Sequence, residues 1–240
     1  NDDAQGTADG IFNNNQQISA CRIRVSGFGT DEGRELLAGC STVIHSAASV
    51  SFDSPLDAGI EVNLLGPVRV ARALAAAAEG RGSPAHLVAV STAYVAGNRR
   101  GDANEIVPGD EGVHAEVKWE HEVDSARRMR ADADLESRSP AMLTRFAREA
   151  RAEVGAAGRP LLAAKTERLR QQWVSDRMVE LGKVRAQALG WPDVYAYTKA
   201  LGERALLQGR GEVPVSIVRP SIIEAALAEP RPGWIRGFRM

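Results

Sequence analysis

Three stretches of this chain, STVIHSAA at 41–48, HLVAVST at 86–92 and VSIVRPSII at 215–223, are apolar along nearly their whole length instead of alternating with polar residues. A strand of that kind is out of water on both faces, the condition of a parallel sheet covered by helices on its two sides. The intervening segments carry helical signals. TDEGRELLAG (30–39) is a polar link with helical content, Val62, Leu65, Val68 and Leu74 recur at helical spacing, and a helix is expected from about Tyr195 to Leu207. With a further short strand expected in CRIRV (21–25), the order of elements specifies an α/β, doubly wound parallel sheet.

The texture changes between about 105 and 190, which is rich in Ala, Arg and Glu and lacks strand-like alternation. It reads as a helical insertion inside the α/β domain, because strand and helix signals return after Trp191. Within it Leu162, Leu169, Trp173, Leu181 and Val184 define one apolar face, and Arg168, Arg170, Arg177, Lys183 and Arg185 are expected on a solvated one. The expected organisation is loop or disorder over 1–20, an α/β domain over 21–104 and 191–224, the helical insertion over 105–190, and a separate C-terminal part starting at 225.

Composition removes several functions. A formal net charge of −1 provides no global field for nucleic acid or an anionic membrane. The apolar run Val68 to Ala78 is broken by Arg69 and Arg72 and falls short of the ~20 residues a bilayer span needs, so no transmembrane segment is expected. The polar start is unlike a signal peptide, and Cys21 with Cys40 is too little for a disulfide scaffold, which points to a cytoplasmic setting. Four histidines without matching Cys or Asp spacing make no metal site.

The chemistry-bearing residues cluster at the ends of the apolar strands. In DVYAYTKALGE, Tyr195 and Lys199 are four apart and share a helical face, where an ammonium favours phenolate and makes the phenol a usable acid at neutral pH. Tyr197 points elsewhere and is expected to pack or to line the substrate site. Ser91 and Thr92 close the strand HLVAVST, and ligands of open parallel sheets sit beyond such ends; the alternative is that these hydroxyls cap the following turn. In IHSAASVSF, Ser46, Ala47 and Ala48 let a flat ligand approach the backbone, and His45 reads as structural.

Taken in order, HSAASVSFD, VNLLGPVRV, VSTAYVAG, YAYTKALGE and IVRPSIIEAALAEPRPGW resemble the extended short-chain dehydrogenase/reductase superfamily, in particular its fatty acyl-CoA reductase branch, over roughly Leu36 to Phe238. The resemblance implies a Rossmann-type sheet and an NADPH-dependent oxidoreductase of lipid metabolism, which reduces a fatty acyl thioester, on CoA or acyl carrier protein, to aldehyde or alcohol. It implies Tyr195 as proton donor, Lys199 as the residue that holds the nicotinamide ribose and tunes Tyr195, and Thr92 as the third catalytic hydroxyl, with Ser91 as the fallback. It also implies that His45, Ala47, Ala48 and Asn63 lie along the cofactor, that Pro220, Ser221 and Ile222 lie beside the nicotinamide, and that the part from 225 begins the substrate-binding region. The alternatives are another extended reductase acting on ketones or aldehydes, and a non-catalytic NADPH-binding protein. Arg127, Arg128 and Arg130 are candidates for docking a carrier protein.

RVSGFGTDEG (24–33) imitates a phosphate loop. Yet the space from Gly27 to His45 holds one short helix and one strand, whereas each βαβ unit takes ~30 or more residues. The expectation is therefore a decoy, with Asp31 a weak adenine contact, in a chain lacking the first part of its sheet and the glycine fingerprint that cradles the pyrophosphate.

Overall fold

The structure of the 240-residue chain is a computed structural model that describes residues 9–13, 16–20, 30–80, 82–103, 117–155, 159–222 and 225–235. Strand β1 (Asp9–Asn13) pairs antiparallel with β2 (Gln16–Ala20), Asp9 opposite Ala20 and Asn13 opposite Gln16. The two strands stand inside the stretch expected as loop or disorder, over 9–13 and 16–20 alone. Each strand carries a β-branched isoleucine, Ile11 and Ile18, and the asparagine-rich stretch between them is turn-forming, a combination too short to register as a period. CRIRV lies outside the described residues.

Helix α1 (Asp31–Ala38) occupies TDEGRELLAG. Thr30 caps it by accepting the Gly33 N–H at 3.1 Å, and Asp31 and Glu32 sit at its positive end. The main sheet then forms from β3 (Thr42–His45), β4 (His86–Val90) and β5 (Val215–Val218), parallel and in that spatial order. Thr42 stands opposite His86 and Val90 opposite Val218, so all three strands point their carboxyl ends at one rim. The last strand is shorter than VSIVRPSII suggested, because Pro220 has no N–H to continue a ladder. The fold is α/β and Rossmann-type.

Between β3 and β4 runs one long helical stretch in three parts: α2 (Leu56–Gly59), a π-helical turn (Ile60–Leu64) and α3 (Leu65–Ala78). Buried Val70, Ala71 and Leu74 of α3 pack with Leu37 of α1 and with Leu87 and Ala89 of β4. Alternation within the strands is visible here. Leu87 is buried, whereas Ile44 is 65% and Val218 47% exposed, so among the described residues helices cover one face of the sheet.

Three helices follow: α4 (Trp119–Ser137), α5 (Pro140–Val154) and α6 (Arg159–Ala188), with 104–116 outside the described residues. The fully buried row on α6 is offset from the expected face, of which Trp173 and Leu181 still pack, half-buried, against the core. Val174, Met178, Gly182 and Ala186 go inward at four-residue spacing, and Val184 is exposed. Gly182 allows this, since a Cβ there would lie 2.8 Å from Val194 and 2.9 Å from Leu56 Cβ. The arginines differ as well. Arg170 is buried against Glu167, Asp134 and Ser137, which joins α6 to α4. Helix α7 (Val194–Gly209) follows, capped by Asp193, and packs between α3, α4 and α6 in a second core that includes Leu56, Leu64, Val123, Trp191, Tyr197 and Leu201. After β5, residues 225–235 form no helix or strand.

Candidate active site

The site assembles at the carboxyl rim of β4 and β5. Backbone pairing continues past the strands: Ser91 N–H donates to Val218 O at 2.7 Å and Ala93 N–H to Pro220 O at 2.9 Å. These two bonds bring Ser91 and Thr92 beside Pro220 and Ser221. A cleft of about 290 Å³ opens there between Ala93, Tyr94, Ser221 and Ile222. Its volume is at the lower end of the ~300–1,000 Å³ usual for ligand pockets, enough for one ring-sized part of a ligand.

Thr92 takes the capping role that the sequence allowed. Its Oγ1 accepts the Tyr94 N–H at 3.3 Å and caps a 3₁₀ turn (Ala93–Ala96), which leaves the hydroxyl proton free to be donated. The Ser91 Oγ is buried with no hydrogen-bond partner among the described residues.

Helix α7 delivers the other pair. Lys199 is 5% exposed, and its Nζ donates to Val90 O at 2.6 Å, which fastens the helix to the end of β4. Burial lowers its ammonium below the usual lysine value, opposed by the Glu203 carboxylate one turn on. Tyr195, one turn before Lys199, is partly exposed and meets the ring of Phe52 edge-on, with centroids 6.0 Å apart. Tyr197 is fully buried and packs, as expected.

Asn63 lies in the π-helical turn, a distortion rare in proteins and common at functional sites. Its Oδ1 accepts the Ser49 N–H at 2.9 Å, and its Nδ2 donates to Ser49 O at 3.0 Å and to Thr198 Oγ1 at 3.1 Å. Both amide protons are spent. Asn63 therefore ties the loop after β3 to α7, and acts on the site by position. His45 is buried with its ring toward Gly66 of α3, and burial followed by the charge of Lys199 holds its imidazole below the usual value. Ala47 is exposed and Ala48 half-buried on the same loop. Asp31 is on the surface, paired with Arg34.

Sequence reasoning missed Ser49, Thr198, Glu203 and Arg219. The Glu203 carboxylate, almost fully buried, accepts from Arg219 Nε and, at 2.6 Å, from Nη2, which fixes the backbone leading to Pro220. Lys199 and Glu203 at i and i+4 on a largely apolar, buried helix were the available signal.

The residues present fit the nicotinamide and ribose end of a dinucleotide. Ser91 Oγ and His45 Nδ1 are buried and unpartnered among the described residues, and Lys199 retains N–H donors beyond the one Val90 takes. The phosphate-loop candidate at 24–29 lies outside the described residues. No group of His, Cys, Asp and Glu that could hold a metal occurs among the described residues, and none of their helices is long and apolar enough to cross a membrane.

The NAD-binding family model described as male sterility protein matches residues 23–240. Fatty acyl-CoA reductase 2, chloroplastic, of Arabidopsis thaliana is 30% identical over 214 residues, 89% of this chain and 30% of that protein. Probable fatty acyl-CoA reductase 4 of the same plant is 28% identical over 82% of this chain and 34% of its own length. Alcohol-forming fatty acyl-CoA reductase of Simmondsia chinensis is 47% identical over 66 residues, 28% of this chain and 13% of that protein. The chain thus spans about a third of the length of the relatives that match most of it.

Proposed function

This chain belongs to the male sterility protein family, in the fatty acyl-CoA reductase branch of the extended short-chain dehydrogenases/reductases, and from that premise we propose that the whole protein reduces a fatty acyl thioester with NADPH. The observation that carries the reading is the 2.6 Å bond from Lys199 to Val90 O, which sets the Tyr195 helix against the strand end that bears Ser91 and Thr92. A nicotinamide nucleotide held along that rim would supply the hydride. Lys199 and Ser221 are the proposed holders of its ribose and nicotinamide end.

The chain's own part is proton and charge management. As the thioester carbonyl becomes tetrahedral, the Tyr195 hydroxyl donates its proton toward the developing oxyanion and the free Thr92 hydroxyl donates a hydrogen bond to it. Loss of the thiolate from that carbon, with the hydroxyl proton returned to the Tyr195 oxygen, gives the aldehyde, and a second hydride with the same proton donor would give the alcohol. Pre-orientation by Asn63 and Glu203 keeps these donors in place without reorganisation during the reaction.

Coenzyme A is the proposed acyl carrier. Two of the three arginines considered for docking a carrier protein are engaged within the chain, Arg127 with Glu61 and Arg130 with Asp57. The cytoplasm is the proposed compartment, with a plastid the alternative that the name of one relative suggests; fractionation separates the two.

The test is NADPH oxidation by the intact protein on addition of long-chain acyl-CoA, with Tyr195→Phe as control. Turnover lowered on the order of 10²-fold in that variant supports the reading. Activity on free aldehydes or ketones but not acyl-CoA replaces it with another extended reductase, and NADPH binding without turnover on any of them replaces it with a non-catalytic binder.

A further inference from the structure

The helical insertion reaches the catalytic helix through one buried carboxylate. Glu122, in the first turn of α4, is 6% exposed. Arg185 of α6 grips it with two charge-assisted bonds, Nε to Oε2 at 2.9 Å and Nη2 to Oε1 at 2.5 Å. Its Oε2 also accepts the hydroxyl of Tyr197 at 2.5 Å. Tyr197 lies on α7 midway between Tyr195 and Lys199. Burial opposes the charge of Glu122, yet the bonds from Arg185 and Tyr197 prevail and hold its carboxyl below the usual range.

The same tyrosine is boxed on its other side. The Trp191 ring stands 5.5 Å from the Tyr197 ring, centroid to centroid, at 51°. The Trp191 indole N–H donates to Val95 O at 3.1 Å, in the 3₁₀ turn that Thr92 caps. One chain of contacts therefore runs from α6 through Glu122 to α7, and on through Trp191 to the turn that follows Thr92.

An apolar ring would fill the space of Tyr197, and burying a hydroxyl with a carboxylate costs desolvation that a phenylalanine against a leucine would not. What the polar arrangement adds is direction. A hydrogen bond to a two-pronged, clamped carboxylate fixes the roll of α7 about its axis, and any change in roll displaces Tyr195 and Lys199 together. Reactive geometry tolerates little of this, since misplacement by ~1 Å can cost 10²-fold in rate.

We infer that Glu122 is a positioning residue for the reductase site: clamped by Arg185, it sets the orientation of the Tyr195 and Lys199 helix through the Tyr197 hydroxyl. The inference rests on the reductase reading above. It gives the insertion a role in turnover, distinct from enlarging the core.

The experiment compares the intact wild-type protein with Tyr197→Phe, with Glu122→Gln, and with the apolar triple variant Tyr197→Phe, Glu122→Met, Arg185→Met. Measured are the melting temperature, the NADPH dissociation constant by fluorescence, and kcat and KM for acyl-CoA. Tyr197→Phe is expected to melt within a few degrees of wild type, with kcat down on the order of tenfold, NADPH affinity several-fold weaker and KM for acyl-CoA unchanged. The triple variant is expected to regain melting temperature and not kcat. Wild-type kcat and NADPH affinity in folded Tyr197→Phe, or losses that vanish on correction for the folded fraction, would overturn the inference. A wild-type protein inactive on acyl-CoA fails the reductase reading alone, because the NADPH affinity of the variants still reports the orientation of Lys199.

Discussion

Asn63 Nδ2 lies 3.1 Å from Thr198 Oγ1, although 135 residues separate the two in sequence. Thr198 spends its own proton on Val194 O at 2.7 Å, so the pair is directional. Asn63→Leu keeps the side-chain volume and strands three partners, the Ser49 N–H, the Ser49 carbonyl and the threonine oxygen. The expected loss is roughly 2–4 kcal/mol, read as a lower urea midpoint at unchanged slope.

Gly202 is fixed by the same crossing. A Cβ at that position would lie 2.3 Å from the Asn63 carbonyl oxygen and 3.2 Å from Leu64 Cα, both backbone atoms that cannot step aside. Gly202→Ala should cost about 3 kcal/mol and displace Asn63. Gly39→Ala meets only ordinary contacts of 3.5 Å at a right-handed φ of −81° and should be close to neutral, which thermal melts of the two variants will compare.

Lys199 gives a pH prediction with a definite sign. Burial lowers its value in the folded protein, so the ammonium is lost as pH rises through a point below the ordinary lysine value near ~10.4. Turnover and NADPH affinity should fall along an alkaline limb in that window. Between the two values the unfolded chain binds the proton and the native one does not, so this group makes stability rise with pH there. Melting temperature and activity measured together across the limb should therefore part company, and Lys199→Met should abolish the limb.

The two hydroxyls at the end of β4 should separate cleanly. Thr92→Val removes both the cap on the 3₁₀ turn and the free donor, with an expected cost of ~1 kcal/mol in stability and on the order of 10²-fold in kcat. Ser91→Ala deletes a buried hydroxyl that has no partner among the described residues, and should leave the cofactor-free protein as stable or up to ~1 kcal/mol more stable. Calorimetry on both, with kcat, assigns the catalytic hydroxyl.

Local chemistry made much of this legible. Apolar runs located β3, β4 and β5, and the i, i+4 spacing put Tyr195 and Lys199 on one helix. What escaped depends on long-range pairing. Nothing near Asn63 reveals that its amide is consumed by Ser49 and Thr198, and nothing near Arg185 or Arg170 distinguishes a clamp from a solvated arginine until α4 is laid beside α6. The expected apolar face of α6 was right only in part, at Trp173 and Leu181, for a related reason. Small Gly182 and Ala186 carry the close approach, and a search for large side chains passes over them.

The turn Ile60–Leu64 stores the alignment of the site in a residue count. An α-helix advances 100° per residue, and the wider π turn absorbs one residue more than that winding would. Shortening Ile60–Leu64 by one residue would let the segment relax into regular helix, with α2 and α3 keeping nearly their present phase, because the extra residue is the one the wide turn absorbs. What would be lost is the widened turn from which Asn63 reaches both Ser49 and Thr198. A single-codon deletion here is thus a silent-looking lesion: composition, motif order, hydropathy and the run of the helix survive it, and the one local bulge does not.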